Sequence, residues 1–449
     1  MTLLPVLLTL LGLDAPLQRV VDAVGTKDCP QLHAMLTPAF QQAVPASALL
    51  GICNAIGKVT AAERMPDERG QAVVRATSAS GTWKLLVALE GERVAGLNVA
   101  RWPTKLSATT LAGALAEVAN GAQIPGMAAL ALRDGKIVEQ ATYGVRKLGD
   151  PTPIGPNDRW HLGSDTKAMT ATLAALVVQD GKLSFSSTVG EVLSDWKDLD
   201  PAYAKVTLLQ LLQHRGGVPG NVEPESWAAL WKATDPVEGR RAFVHATLKQ
   251  HAHEVGTYEY SNAGYMTAAV MVERVTGRTW DALMKSRVFE PLGMTSCGYG
   301  PSASPGKVDA PWSHELHEGV LRPVDAASGL ADNPAGLGPA GTVHCSLADW
   351  GKFVEAHVRG ERGAQTKLPL PASAWHALHT PNGAYALGWL VDARPWAHGP
   401  VLSHDGSNGM SYATVVASPA DDRVFLVVAN RGSDAATVAT HAIVGFLSR

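Results

Sequence analysis

The chain has 449 residues, of which 46% are hydrophobic and 18% are charged, and its net charge at pH 7 is −3. This length predicts two or three domains, and the composition is typical of a soluble globular protein. A net charge so close to zero argues against a nucleic acid or an anionic membrane surface as a partner. The sequence has no repeat of fixed period, so a repeat architecture is excluded as well.

The first 16 residues resemble the apolar part of a secretory signal. They contain no Lys or Arg, and the apolar run at positions 3–13 is too short to span a bilayer. We predict that residues 1–16 are a signal peptide ending at Asp14-Ala15-Pro16, and that the protein is secreted or periplasmic. The alternative is that this segment is the first helix of the N-terminal domain. We expect no transmembrane span.

The four cysteines fall in two groups. Cys29 and Cys53 lie in one region and Cys297 and Cys345 in another, so two disulfides are compatible with the sequence, which does not determine the pairing. Neither a C-x-x-C pair nor an H-E-x-x-H motif is present. We therefore expect no metal and no cofactor.

Residues 17–100 are predicted to form a separate small α+β domain. Helical spacing is followed by strand patterns along the chain, at 17–24, 31–40, 71–76 and 82–89. This order loosely resembles the small cystatin-like domains that precede some secreted hydrolases. No cluster of polar residues suggests a site here, so we expect a structural role or docking of an unknown partner. Residues 101–107 are the predicted linker.

Residues 108–449 have strand patterns at both ends and helical patterns between them. A helix at 111–118 precedes two strands joined by an Asp-Gly turn, the strongest short signal for a hairpin. The remaining terminal elements are predicted at 128–132, 137–141, 412–417, 424–429 and 435–447. We predict an α/β (α+β) fold, in which both ends of this domain build one antiparallel sheet and a helical lobe is inserted. A cleft between sheet and lobe follows from that arrangement.

Ser164 and Lys167 stand at the start of an apolar segment over 168–178. Side chains three residues apart share one face of a helix, and burial favours the neutral, basic form of lysine. Two other Ser-x-x-Lys patterns begin at Ser194 and Ser304. The first lies in an acidic stretch and the second contains Pro-Gly, so only Ser164 has a buried helix behind it.

Three more stretches contain polar residues beside apolar elements. Tyr260-Ser261-Asn262 precedes a second apolar helix at 266–275, and a short amphipathic helix over 206–217 ends on Gly216-Gly217. His404-Asp405-Gly406-Ser407 comes just before the strand at 412–417. Glycine there is expected to let a substrate backbone approach the strand edge.

In this order, Ser-x-x-Lys, Tyr-x-Asn and His-x-Gly resemble the serine β-lactamase and penicillin-binding superfamily. The similarity covers about 107–449 and is greatest with the branch that holds class C β-lactamases, D-Ala-D-Ala carboxypeptidases and related esterases. The stretch Leu-Leu-Gln-His-Arg-Gly-Gly is similar to a helix-to-loop motif of that branch, with Gly216 in place of its serine.

The resemblance implies a role for each matching residue. It makes Ser164 the nucleophile of an acyl-enzyme mechanism and Lys167 its base or the group that orients the base. Tyr260 would protonate the leaving group and later activate water, and Asn262 would bind a polar group of the substrate. His404 and Gly406 would line the opposite wall. The backbone N–H groups of Ser164 and Ser407 would form the oxyanion hole.

One departure from the family pattern bears on the substrate. Many β-lactamases have lysine where His404 stands, and a histidine followed by Asp405 is a weak anchor for a carboxylate. We therefore predict an esterase or a peptidase-like amidase that acts on a small molecule or peptide. A β-lactamase or penicillin-binding carboxypeptidase is the alternative within enzymes, and a ligand-binding or scaffold protein is the alternative outside them.

Overall fold

The structure is a computed structural model, and it describes residues 13–25, 30–44, 46–68, 71–79, 81–101, 106–220, 223–318 and 320–449. These residues form two compact units, with the boundary between Lys105 and Leu106. Most of the predicted signal peptide, 1–12, and most of the predicted linker, 102–105, lie outside the described residues. In the described ranges, no helix combines the length and the apolar character needed to cross a membrane.

Helices precede strands in the first unit. In chain order its elements are α1 (Ala15–Val24), α2 (Pro30–Met35), α3 (Pro38–Ala43), α4 (Ala46–Ile56), β1 (Val59–Glu68), β2 (Gln71–Ser78), β3 (Gly81–Glu90) and β4 (Arg93–Arg101). The strands form one antiparallel sheet in the order β1-β2-β3-β4. Apolar side chains of α1, including Leu17 and Val20, share a core with Val74 and Leu85 of the sheet.

Two elements of this unit differ from the prediction. The helix predicted over 31–40 is two helices, because the Thr37 side chain caps α3 and Pro38 occupies its first position, where a missing N–H costs nothing. Strand β1 was not predicted. It is an edge strand, and charged residues such as Arg64 and Asp67, which form an ion pair, interrupt the apolar alternation that would predict a strand.

The second unit alternates strands and helices in a longer series. In chain order its elements are α5 (Leu111–Gly121), β5 (Gly126–Arg133), β6 (Lys136–Gly144), β7 (Arg159–His161), a 3₁₀ turn (Gly163–Asp165), α6 (Thr166–Gln179), α7 (Val189–Val192), α8 (Leu208–Leu212), α9 (Pro224–Lys232), α10 (Pro236–Leu248), α11 (Asn262–Thr276), α12 (Trp280–Met284), α13 (Glu290–Leu292), β8 (Gly298–Tyr299), β9 (Ser313–His317), β10 (Val320–Val324), α14 (Gly338–Gly341), β11 (Val343–Ser346), α15 (Leu347–Glu361), α16 (Ala372–His379), β12 (Leu390–Ala393), β13 (Pro400–Ser407), β14 (Tyr412–Ser418), β15 (Arg423–Ala429) and α17 (Asp434–Leu447).

Both ends of this unit build one six-stranded antiparallel sheet, in the order β12-β13-β14-β15-β5-β6. The predicted fold is thereby confirmed. Consecutive residues of the central strands belong to two different hydrophobic cores, because their side chains point alternately to the two faces of the sheet. Ala129 and Val427 pack with α5 and α17, whereas Leu130 and Leu426 pack with α6 and α15. Burial on both faces explains why these strands are apolar without interruption.

Helix α6 lies inside the larger core and is buried on every side from Thr166 to Val177. It contacts α11 and α14 of the helical lobe as well as α16. The predicted apolar helix over 168–178 is therefore present and begins two residues earlier. Its position places its N-terminal turn between the lobe and the sheet.

Strand β13 is where the prediction of the sheet fell short. We expected residues 402–409 to lead into a strand, but residues 400–407 are themselves a strand that pairs with β14. Its other edge pairs with β12 over residues 400–403 and no further. The segment 404–407 therefore has one edge turned towards the 3₁₀ turn that contains Ser164.

One disulfide joins parts of the second unit that are distant in sequence. Cys297, directly before β8, is bonded to Cys345 in β11. Cys53 of the first unit is disulfide-bonded as well, and Cys29 lies outside the described residues.

Candidate active site

Ser164 lies in the 3₁₀ turn directly before α6, pressed against β13. Gly163 has a φ of +52°, a left-handed conformation that favours glycine. A Cβ on Gly406 would lie 1.9 Å from the carbonyl oxygen of Leu162 and 2.9 Å from the backbone nitrogen of Ser164. The approach of a substrate backbone to Gly406 stays a prediction. In the structure, the backbone that lies against Gly406 belongs to Leu162 and Ser164.

Lys167 is fully buried and makes three polar contacts. Its Nζ is 3.0 Å from Ser164 Oγ, 2.8 Å from Asn262 Oδ1 and 2.7 Å from the carbonyl oxygen of Ala340. A neutral amine has two N–H donors and one lone pair. Asn262 and Ala340 offer acceptors only, so they take the two donors. The lone pair is then directed at the hydroxyl of Ser164.

The electrostatics of this helix end favour the neutral amine. Burial lowers the pKa of Lys167 to about 7, with Asp165 acting in the opposite direction. The Asp165 carboxyl is itself buried, and neither of its oxygens has a hydrogen-bond partner among the described residues. Burial raises the pKa of Asp165 well above its usual range, and the charge of Asp405 adds to this. We infer that Asp165 is a poor counter-ion, so it does little to keep Lys167 charged.

Tyr260 and Asn262 stand where α11 begins. Ser261 caps this helix by accepting from the N–H of Gly264. Burial raises the pKa of Tyr260, so that it stays a phenol near neutral pH, and the nearby Ser164 hydroxyl acts in the opposite direction. Lys167 Nζ lies 4.8 Å from the centre of the Tyr260 ring, which is 36% exposed. Ser164 thus has two groups nearby that can transfer protons, the buried amine of Lys167 and the phenol of the exposed Tyr260.

His404 is buried on the facing strand. Its Nδ1 is 2.9 Å from the carbonyl oxygen of Asp405 and its Nε2 is 3.1 Å from Tyr385 Oη. Burial and the charge of Lys167 lower the pKa of His404 to about 4, whereas Asp405 acts in the opposite direction. His404 is therefore neutral at pH 7.

Asp405 contributes a negative charge to this wall, as the sequence predicts, but it does not lower the pKa of His404. The Asp405 carboxylate accepts from Thr414 Oγ1 at 2.8 Å and lies 2.9 Å from His441 Nε2 of α17. Its nearby negative charge favours the protonated form of His404. Burial is what removes the positive charge from this wall.

Ser407 ends β13 and turns its side chain away from Ser164. Its Oγ donates to the carbonyl oxygen of Ser411 at 2.7 Å. Its backbone nitrogen lies close to the turn that contains Ser164, since a Cβ on Gly163 would be 2.3 Å from it. The predicted role of Ser407 through its N–H group, and the roles of the other predicted residues, remain predictions. The structure brings all seven of these residues together.

Two neighbours of the site were not predicted as functional residues. His214 follows the short helix α8, accepts from the N–H of Ser261 at 3.0 Å and has its ring centre 4.3 Å from that of Tyr260. Its signal was the His-Arg-Gly-Gly stretch. Tyr385 contacts His404, and nothing in a single sequence distinguishes it from the other tyrosines. In the part of the chain that is described, no group of three or more His, Cys, Asp or Glu side chains is arranged to hold a metal ion.

An antiparallel sheet with an inserted helical lobe, and a serine in contact with a buried lysine, are typical of serine hydrolases that work by acyl transfer. The family model for β-lactamases matches residues 111–447. The chain belongs to the β-lactamase family, and the family resemblance predicted from its motifs is confirmed.

Individual relatives are more distant. The chain is 27% identical over 334 residues to penicillin-binding protein 4 of Amycolatopsis lactamdurans, covering 69% of this chain and 81% of that protein. It is 22% identical over 315 residues to protein flp of Staphylococcus aureus, covering 69% of this chain but only 60% of flp. The chain thus spans less than two thirds of some curated relatives it matches.

Solved structures agree on the fold. A penicillin-binding protein homologue from Pyrococcus abyssi, described as octameric, has a TM-score of 0.62 at 22% identity, over 76% of this chain and 77% of that one. A D-stereospecific amidohydrolase from Streptomyces sp. has a TM-score of 0.58 at 21% identity, over 74% of this chain and 97% of that one.

Proposed function

We propose that the second unit hydrolyses an ester or amide through an acyl-enzyme on Ser164, with Lys167 as the base. The observation that supports this most directly is the 3.0 Å contact between Ser164 Oγ and Lys167 Nζ. Two acceptors occupy the donors of that amine, and burial brings its pKa to about 7. A base with such a pKa is effective at neutral pH.

Each proton in the proposed cycle has a place. Ser164 Oγ attacks the carbonyl carbon and gives its proton to Lys167, while the N–H groups of Ser164 and Ser407 stabilise the developing oxyanion. Tyr260 protonates the leaving group, whose bond to the carbonyl carbon breaks, and becomes a phenolate beside the lysine ammonium. In deacylation the phenolate takes a proton from water and the hydroxide attacks the acyl-enzyme. The ammonium then returns its proton to Ser164.

The neutral wall at His404 supports a substrate that needs no carboxylate anchor at that position. Burial keeps His404 uncharged at neutral pH, so this residue offers hydrogen bonding without a fixed positive charge. Esters and uncharged amides fit that environment. The relatives named penicillin-binding protein 4 and D-stereospecific amidohydrolase support an amide, with a β-lactamase or carboxypeptidase activity as the second candidate.

A substrate panel distinguishes these candidates. We expect p-nitrophenyl esters of short acids to be turned over with a higher kcat/KM than nitrocefin, because nitrocefin carries a carboxylate that the His404 wall does not pair. D-amino-acid p-nitroanilides test for amide hydrolysis in the same assay. A kcat/KM for nitrocefin near the diffusional ceiling of about 10⁸ M⁻¹s⁻¹, with short esters ignored, would contradict the proposed substrate class.

Covalent labelling tests the acyl-enzyme itself. Intact-mass measurement after exposure to a fluorophosphonate or a penicillin is expected to detect one adduct, located by peptide mapping on the peptide that contains Ser164. A protein that forms no adduct with either probe and turns over no substrate would instead favour a ligand-binding or scaffold role.

Replacing Tyr260 with phenylalanine is expected to lower kcat by about 100-fold, because the leaving group and the hydrolytic water lose their acid and base. Acylation should persist in part, since Lys167 still contacts Ser164. The measurement is pre-steady-state hydrolysis of a chromogenic ester, which separates the acylation burst from turnover.

Tyr258→Phe is the matched control, because Tyr258 is two residues away and 43% exposed. We have assigned it no part in the reaction, so its rates should match the wild type. If kcat of Tyr260→Phe also equals that of the wild type, Tyr260 has no role in proton transfer.

We further propose that the protein is secreted or periplasmic and that the first unit has a structural or docking role. The disulfide between Cys297 and Cys345 supports an oxidising compartment. Cell fractionation that finds the intact chain only in the cytoplasm would contradict this. A chain starting at Leu106 with an altered substrate profile would argue that the first unit takes part in substrate selection.

A further inference from the structure

A buried histidine supports the turn that contains Ser164. His161, the last residue of β7, accepts from the N–H of Gly163 through Nδ1 at 3.1 Å. Its other ring nitrogen, Nε2, lies 2.5 Å from Asp332 Oδ1, a close contact without hydrogen-bond geometry. The side chains of His161 and Asp332 are only 1% and 5% exposed. The left-handed turn at Gly163 is thus linked to a carboxylate on a distant loop.

The same carboxylate oxygen reaches the end of β13. Asp332 Oδ1 accepts from Asn408 Nδ2 at 3.5 Å, and Asn408 directly follows Ser407. The Oδ1 atom of Asn408 accepts from the N–H groups of Met410 at 3.1 Å and Ser411 at 2.9 Å, which fixes the turn after β13. One oxygen of Asp332 therefore connects the segment of Ser164 with the segment of Ser407.

Stability alone is a weak reason for a carboxylate at this place. Asp332 Oδ1 also accepts from the N–H of Asn333 at 2.6 Å. Burying a charge costs free energy that this bond, the histidine contact and a long amide contact offset only in part, and an apolar residue is often no less stable. Asp332 Oδ2 also has no hydrogen-bond partner among the described residues. A buried carboxylate that costs free energy and contacts two parts of a site is better explained by the segments that it holds in place.

We propose that Asp332 is a positioning residue that, through His161 and Asn408, sets the spacing between the two oxyanion donors, the N–H groups of Ser164 and Ser407. This inference rests on the proposed acyl-enzyme function of Ser164. Asp332 contacts neither substrate nor reacting atoms in this assignment. Its effect should appear in the rate of acylation and not in substrate binding.

The test compares Asp332→Ala with Asp332→Asn. The alanine variant loses every contact of Oδ1, and its second-order rate of fluorophosphonate labelling at Ser164 should fall by about 100-fold, the size of effect of a lost oxyanion donor. The kcat for a p-nitrophenyl ester should fall in parallel with little change in KM. Asparagine keeps an oxygen that can contact His161 and accept from Asn408, so Asp332→Asn should label at close to the wild-type rate.

Asp349→Ala is the matched control, because Asp349 is 5% exposed like Asp332 and bonds to Ser296 and Lys352 on another part of the unit. It should change Tm without changing the labelling rate. If Asp332→Ala does not fold, Asn408→Ala replaces it, since Asn408 is only partly buried.

The outcomes separate the two proposals. Wild-type labelling rates in Asp332→Ala, or in Asn408→Ala if it is needed, overturn the positioning role and leave the proposed function intact. Equal losses in the alanine and asparagine variants of Asp332 also overturn it, because charge and not placement would then matter. A wild-type protein that is not labelled at Ser164 overturns the proposed function and this inference with it.

Discussion

Ser164→Ala is expected to abolish both hydrolysis and the covalent adduct, lowering kcat/KM by at least about 10⁴-fold. The reason is that Ser164 is the hydroxyl in contact with the buried amine of Lys167 in the described site. The measurement pairs intact mass after fluorophosphonate treatment with ester hydrolysis by the same preparation. The oxyanion donors and the binding cleft would remain, so substrate binding should persist.

The chain provides its own control for this experiment. Ser194 begins a second Ser-x-x-Lys pattern but is exposed, next to an Asp195 that pairs with Arg274 at the surface. Ser194→Ala should therefore keep the full adduct and the full rate. If the adduct instead survived in Ser164→Ala and disappeared in Ser194→Ala, the assignment of the nucleophile would be wrong.

The nucleophile and its lysine could be predicted because their relation is local. Three residues of spacing at the start of an apolar helix determine that Ser164 and Lys167 share a face, and the same apolar helix predicts the burial that lowers the pKa of the lysine. The third contact of Lys167 could not be predicted. It is the backbone carbonyl of Ala340, which any residue type would supply, and only the folded chain brings it to the site.

The walls of the site were harder to predict than its centre. Strand β13 contains Ser403, His404 and Asp405 in sequence, which does not resemble the apolar alternation of a strand. Asp405 is tolerated there because Thr414 on the next strand and His441 on α17 bind its carboxylate. These partners are tertiary, so local propensity could not reveal the strand. The same holds for the contact between His404 and Tyr385.

Two features make His404 a weak anchor for an anion, and the sequence revealed only one of them. Neighbouring charge was visible in the sequence as Asp405, whereas burial was not. In the structure burial lowers the pKa of His404 and Asp405 raises it. A sequence shows which charges are adjacent along the chain, but the solvent that each one loses depends on the whole fold. The substrate class therefore depends on a property that only the structure supplies.

Lys167→Met is expected to lower kcat/KM by about 1,000-fold, within the range for a lost general base, because in the proposed cycle Lys167 takes the proton of Ser164 during attack. The wild-type pH profile should support the same assignment. With a pKa of about 7, Lys167 is protonated and inactive at low pH. The kcat/KM should therefore rise from pH 6 to pH 8 and level off above that, and this rise should be absent in the methionine variant.

Lys167→Arg separates a base from a fixed charge. Arginine stays protonated at any pH the protein tolerates, so it keeps a cation beside Ser164 and cannot accept a proton. We expect Lys167→Arg to be about as slow as Lys167→Met at every pH, with Tm and KM recorded for both to detect a disturbed fold. An active arginine variant, or a wild-type rate that falls as pH rises through 7, would mean that Lys167 acts as a charge. Tyr260 would then be the remaining candidate for the base, because Ser164 is near enough to influence the pKa of its hydroxyl.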